Sequence, residues 1–298
     1  MSTTDLEIVR RGYARQVTAL LGARNERLEA AFAAVPRERF LGSDPWYIVK
    51  RAQGFVRLPA NDPVYVYQDV LIALDEERGI NNGSPSLHAS MLDALAPKLG
   101  DTVAHIGAGT GYYSAILAEL VGATGRVVAV EFDHNLAQQA HSHLADRPNV
   151  EVITGDGGDW PREDVEGVYV NFAVERPAEP WIDRLKMGGR LVFPLGVASP
   201  AKPNGARFAQ GVALRVEKAS GLHPASIISP VSFIFAEGAA GTPDPGLVQA
   251  FKDGGVELVR SLAWHQEVDP ARCWHVGAGW ALCYGGVAQG LGPEGSAR

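Results

Sequence analysis

Cysteine is nearly absent from this chain. Only Cys273 and Cys283 occur, inside the stretch CWHVGAGWALC, and their spacing matches no zinc or redox motif. In a cytosolic setting both are expected to be reduced and packed rather than bridged. No run of 18 or more uncharged apolar residues appears, so a membrane-spanning helix is not expected. The opening residues, MSTTDLEIVRRGYARQ, lack an apolar signal core and carry mixed charge, which leads to the expectation of a cytoplasmic protein. Clustered basic residues are missing from the middle of the chain: residues 61–200 hold 20 acidic and 9 basic side chains. Such an acidic centre argues against a nucleic-acid groove there, because phosphate binding needs grouped Lys and Arg. Residues 1–60 lean the other way, with 10 basic and 6 acidic side chains. That excess suits an acidic substrate, and more simply marks solvated helix faces. Internal repeats and low-complexity tracts are also lacking.

What is present is a chain of 298 residues, 46% hydrophobic, enough for a large core. Residues 5–34 carry apolar positions at helical spacing in two pieces parted near Gly22: Leu6, Val9, Tyr13, Val17 and Leu20, then Leu28, Ala31, Phe32 and Val35. Pro36 ends the second piece. Residues 44–75 are richer in aromatic and β-branched residues and predict extended segments. DEERGINNGSPS reads as a turn, and LHASMLDALAPKL as a helix. From 101 to 196, near-continuous apolar strands alternate with amphipathic helices. This pattern predicts an α/β fold, a doubly wound, mostly parallel sheet covered on both faces. The tail from 207 reads as strands plus one helix near 245–260, with a frayed end over QGLGPEGSAR. Three parts are therefore expected: an N-terminal helical and extended segment over 1–80, a ligand-binding domain over 81–235, and a β-rich C-terminal extension over 236–298.

Residues 103–113 read VAHIGAGTGYY, with glycines alternating at Gly107, Gly109 and Gly111. A strand that turns on glycines into a helix is built to hold something against bare backbone. A dinucleotide fingerprint spaces its glycines G-x-G-x-x-G. Counted from Gly107 the third position is Tyr112, and counted from Gly109 it is Ser114, so the fingerprint is broken. A P-loop fits poorly as well, because no Lys follows. The spacing G-x-G-x-G is similar to the glycine loop of class I S-adenosylmethionine-dependent methyltransferases, where the backbone approaches the methionine part of the cofactor. Two carboxylates stand at fitting distances. Glu131 ends the next strand, 20 residues past Gly111, where it can accept from both ribose hydroxyls. Asp156, in TGDGGDW, can accept from an adenine amino group, with Gly157 leaving room for the ring; its simpler role is to form the turn. Asp133 reads as the N-cap of the following helix.

Taken together, the glycine loop, LEAAFAAVPRERFL, the turn ahead of LHASMLDAL, and VITGDG resemble the protein-L-isoaspartate O-methyltransferase family over roughly residues 25 to 235. The resemblance implies a class I methyltransferase fold, S-adenosylmethionine as donor, and a carboxylate of a peptide or protein as acceptor; composition and charge lead to the expectation of no nucleic acid or membrane partner. His105, Gly107, Gly109, Gly111, Glu131, Asp156, Gly157 and Asn171 are the expected cofactor-binding residues.

The chain departs from the family's pattern at two places. An acidic residue is usual before the first glycine; here it is His105, which either makes a different hydrogen bond to the cofactor, weakens its binding, or merely fills the strand end. In the repair enzymes a serine two residues before the turn's proline meets the substrate carboxylate; here that position is Gly83, and Pro85 is preceded by Ser84. Ser84, Asn82 and Asn81 are the catalytic candidates, the alternative being that the substrate has changed. A carboxylate acceptor is ionised at neutral pH and needs no base. An amine or hydroxyl acceptor usually needs one, and His88 is a weak candidate more simply read as packing on its helix. The competing readings are a specialised methyltransferase for a modified peptide or small acid, a non-catalytic binding module retaining the fold, and a nicotinamide oxidoreductase, which the glycine spacing disfavours. Tyr65 and Tyr67, and Trp264, Trp274 and Trp280, read most simply as core, surface or interface aromatics.

Overall fold

Apolar periodicity decides the N-terminal layer. In the computed structural model, which describes residues 3–42, 45–50, 54–200, 207–237 and 244–285, α1 (Thr3–Thr18) and α2 (Glu26–Ala34) pack together through the stripes read from the sequence. Tyr13, Ala14 and Val17 of α1 and Leu28, Ala31 and Phe32 of α2 are buried. Asn25 caps α2 by accepting from the Leu28 N–H at 3.0 Å. Pro36 then stops the helix, and a short 3-10 turn, Arg37–Phe40, carries the chain onward. Two small hairpins follow, β1 (Tyr47–Lys50) with β2 (Gly54–Arg57) and β3 (Ala73–Asp75) with β4 (Ile80–Asn81). Tyr67 is buried against Tyr13, with ring centroids 5.4 Å apart, and so belongs to the core.

After α3 (Pro85–Leu95) the alternating pattern builds the sheet. Its strands are β5 (Thr102–Ile106), β6 (Arg126–Glu131), β7 (Val150–Thr154), β8 (Val165–Val170) and β9 (Leu185–Ala198), with α4 (Tyr112–Val121), α5 (His134–His143) and the short α6 (Glu179–Asp183) between them. The spatial order is β9-β8-β5-β6-β7, every neighbour parallel. Residues such as Ala104, Ile106, Val128, Val168 and Val170 are wholly or almost wholly buried, which explains their continuous apolar runs. Asp133 caps α5 as expected, accepting from Asn135 and Leu136 N–H.

The tail adds strands to the same sheet. β10 (Phe208–Glu217) and β11 (His223–Ile234) pair antiparallel beside β9. After α7 (Pro245–Asp253), β12 (Ser261–Trp264), β13 (Cys273–Gly277) and β14 (Trp280–Cys283) continue it outward in the order β11-β12-β14-β13. The three tail tryptophans are buried there, in one cluster with Trp181. The expectation of reduced cysteines is corrected: Cys273 and Cys283 form a disulfide. They are register partners on antiparallel β13 and β14, so the two thiols share one face of a hairpin that sequence spacing alone did not reveal. The stretch QGLGPEGSAR lies outside the described residues. Among the described residues no helix is long and apolar enough to cross a membrane.

Candidate active site

The chain winds outward from β5 through β6 to β7, then returns to β8 on the other side of β5. That reversal opens a crevice at the carboxyl ends of the strands, the usual ligand position in an open α/β sheet. Here it is a cavity of about 750 Å³. The glycine loop after β5, Glu131 at the end of β6, Asp156 after β7, Asn171 after β8 and the turn before α3 all line it.

The three glycines have different tasks. All have positive φ, at 77°, 56° and 96°, which favours glycine at each. A Cβ on Gly107 would stand 2.7 Å from Phe172, and one on Gly111 2.7 Å from Leu144. Those two are bare because the protein's own side chains press on them. A Cβ on Gly109 would meet nothing closer than Leu74 at 3.5 Å. At Gly109 the space beside the backbone is left to the cavity. Gly157 also lines the cavity, and a Cβ there would lie 2.2 Å from Ile106, so its bareness serves packing against β5 as well.

Glu131 is almost wholly buried and pins the loop. Its Oε2 accepts from Gly109 N–H at 2.7 Å and its Oε1 from Asp133 N–H at 2.9 Å. Burial pushes its carboxyl above the ordinary range, and these backbone donors pull it back. Each oxygen keeps acceptor capacity for a further donor. Asp156 accepts from Gly158 N–H at 2.8 Å, capping the turn at the cavity wall. His105 is fully buried, with Nδ1 2.7 Å from Ser114 Oγ and Nε2 2.7 Å from Asn171 Nδ2. Burial lowers its pKa to about 3, so it is neutral at physiological pH. Asn171 Oδ1 is buried and has no hydrogen-bond partner among the described residues.

The turn before α3 is tightly occupied. Asn81 folds on it, donating to Gly79 O at 3.1 Å and accepting from Gly83 N–H at 2.9 Å. Asn82 is buried and accepts from Arg37 Nε at 3.1 Å. Ser84 is the N-cap residue of α3, but its hydroxyl donates to Asp69 at 3.0 Å instead of capping. Gly83 adopts φ 70°. Two cationic residues escaped the sequence reading. Arg37, inside the VPRERF block, is wholly buried and also donates to the carbonyls of Val66, Gln68, Val70 and Gly83. Arg78, in the β3–β4 turn, donates to Asp133 and Glu237 across the cavity mouth. Arg37 stands in the charged stretch RER, where its burial carries no local signal, and nothing local signalled Arg78.

The winding, the glycine loop and the acidic strand end define a class I methyltransferase. The family model for protein-L-isoaspartate(D-aspartate) O-methyltransferase matches residues 22–203. The chain is 33% identical over 201 residues to a protein-L-isoaspartate O-methyltransferase of Methanopyrus kandleri, spanning 64% of this chain and 80% of that one. It is 29% identical over 176 residues to protein-L-isoaspartate O-methyltransferase 2 of Archaeoglobus fulgidus, spanning 58% and 80%. A solved protein-L-isoaspartate O-methyltransferase superposes with TM-score 0.62 at 24% identity, covering 87% of this chain and 73% of its own. A putative Plasmodium falciparum relative, solved with S-adenosyl-L-homocysteine, gives 0.58 at 14% identity, covering 76% and 98%; both likenesses concern the fold. The chain belongs to the protein-L-isoaspartate(D-aspartate) O-methyltransferase family. It is an S-adenosylmethionine-dependent O-methyltransferase.

Proposed function

We propose that the cavity takes S-adenosylmethionine against the glycine loop and presents it to a carboxylate of a peptide or protein, isoaspartyl residues being one version of that acceptor. The observation that carries this reading is the open backbone at Gly109, beside a carboxylate, Glu131, that holds the loop and keeps free acceptor capacity. The residues suit the nucleoside and the amino-acid ends alike. Glu131 would receive the ribose hydroxyls and Asp156 the adenine amino group. The unpartnered Oδ1 of Asn171 would receive an ammonium. The amino end of α4, capped by Gly111, suits a carboxylate. His105 is neutral and adds no repulsion toward a sulfonium.

When bound, S-adenosylmethionine supplies a methyl on a positively charged sulfur; a C–O bond forms at the acceptor oxygen as the S–CH3 bond breaks, its electron pair remaining on sulfur. No proton moves, so the protein's residues need to orient and exclude water rather than act as bases. Positioning of this kind lowers a barrier by on the order of 7–11 kcal/mol. Ser84, Asn81 and Asn82 remain the candidates on the acceptor side, though the first donates to Asp69 and the Oδ1 atoms of both asparagines are engaged. That engagement, with glycine at 83, favours as second reading a specialised O-methyltransferase for a modified peptide or small acid.

The test is methyl transfer from labelled S-adenosylmethionine to isoaspartyl and matched aspartyl peptides, beside calorimetry of the cofactor. Transfer to the isoaspartyl peptide supports the first version. Cofactor binding with transfer to neither peptide favours the specialised enzyme. No cofactor binding leaves a non-catalytic module.

A further inference from the structure

We propose that His88 Nε2, seated in the volume that glycine at position 83 leaves to the imidazole, donates from the cavity wall the hydrogen bond that holds the acceptor carboxylate. This rests on the carboxylate reading above. A Cβ on Gly83 would stand 2.1 Å from His88 Nε2 and 2.6 Å from its Cδ2. The imidazole edge thus fills the volume that any side chain at 83 would claim. Both residues line the cavity next to Asn82 and Ser84. The ring is fixed on two sides: it stacks on Tyr113 with centroids 3.8 Å apart and planes 14° apart, and Nδ1 lies 2.6 Å from the Tyr169 hydroxyl.

That contact sets the tautomer. Tyr169 is completely buried, and burial holds its phenol protonated. Its O–H has His88 Nδ1 as hydrogen-bond partner among the described residues, and a buried donor left unpaired is costly. The phenol therefore donates, Nδ1 accepts, and the neutral imidazole carries its proton on Nε2, toward Gly83 and the cavity. Burial lowers the His88 pKa to about 3, so the ring stays an uncharged donor through the physiological range. An Nε2–H is suited to a carboxylate oxygen and unsuited to deprotonating an amine or alcohol. This arrangement assigns the site to an acceptor that is already anionic. The methyl transfer itself balances as above: C–O forms, S–C breaks, and His88 keeps its proton.

The test uses the full chain, His88→Phe, which retains a stacking ring without the donor, and His88→Gln, which restores an N–H. Histidine-labelled nitrogen NMR of the wild type, saturated with S-adenosylhomocysteine, is expected to show His88 protonated at Nε2 and shifted on adding isoaspartyl peptide. For His88→Phe, kcat/KM is expected to fall roughly 10- to 150-fold, the scale for a hydrogen bond to a charged group, with cofactor Kd within about twofold of wild type. His88→Gln should recover most of that loss. An Nδ1-protonated ring, an unchanged kcat/KM in His88→Phe, or loss of its cofactor binding overturns the proposal. If the wild type methylates neither isoaspartyl nor aspartyl peptide, the carboxylate reading falls separately, and the tautomer still decides whether Nε2–H faces the cavity.

Discussion

Arg37 Nε donates to Asn82 Oδ1 at 3.1 Å from a guanidinium with no solvent exposure. One arginine on the N-terminal segment thereby fixes the turn that borders the acceptor side of the cavity. Its other nitrogens satisfy backbone carbonyls from Val66 to Gly83, so removing it leaves several buried acceptors unpaired. Arg37→Leu is expected to lose about 3–5 kcal/mol of stability, measured by urea unfolding. Arg37→Lys should lose less, because three donors on a flexible stem replace five in a fork.

The glycine loop should respond unevenly to substitution. Gly109→Val is expected to abolish cofactor binding in calorimetry while leaving a folded protein, since the fold opposes a Cβ there only by its φ of 56°. The backbone cost is roughly 1–2 kcal/mol. Gly111→Val adds a collision with Leu144 to a φ of 96° and should be distinctly less stable. Retained affinity in Gly109→Val would contradict the loop's assignment.

Glu131→Ala should weaken cofactor binding by about 1–3 kcal/mol, roughly 5- to 150-fold in Kd. It also frees the N–H groups of Gly109 and Asp133, so hydrogen exchange at both amides should quicken. An unchanged Kd would leave Glu131 as a purely structural clamp.

Acid should unfold the protein partly through two imidazoles. Burial lowers the pKa of His88 and of His105 from 6.5 to about 3. With the folded pKa below the unfolded one, the unfolded chain takes up protons first. Their stabilising contribution is therefore complete above about pH 6.5 and is lost as pH falls toward 3. The expected slope is up to about 1.4 kcal/mol per pH unit for each ring. Glu131, whose carboxyl burial pushes up, works in the opposite sense. Comparing denaturant unfolding of wild type and His88→Phe between about pH 7 and 4 isolates one ring. Equal slopes would show that His88 is not held neutral.

The disulfide closes a short hairpin, Cys273 and Cys283 being separated by 10 in sequence. Thiol titration of the unfolded, unreduced protein should find no free thiol. Replacing both cysteines with serine should cost about 2–4 kcal/mol.

Much of the fold was legible because parallel strands buried on both faces leave continuous apolar runs, and because helices keep a 3.6-residue stripe. The glycine loop and Glu131 were legible for a related reason: backbone left bare and a carboxylate at a strand end are local demands, met within a few residues of each other along adjacent strands. Asp133 was read correctly as a cap by the same local logic. Pairings between distant segments were not legible. Arg37 reaches Asn82 across 45 positions, His88 reaches Tyr169 across 81, and Arg78 reaches Glu237 across 159. The cysteine pair was misread because its geometry depends on strand register, which the ten-residue spacing leaves free. Sequence alone determined which backbone must stay bare and which stripes must be buried, since those follow from sterics and solvent. Only the tertiary structure decided what each bare position faces: a neighbouring side chain at Gly107 and Gly111, open cavity at Gly109, and at Gly83 an imidazole delivered by the next helix.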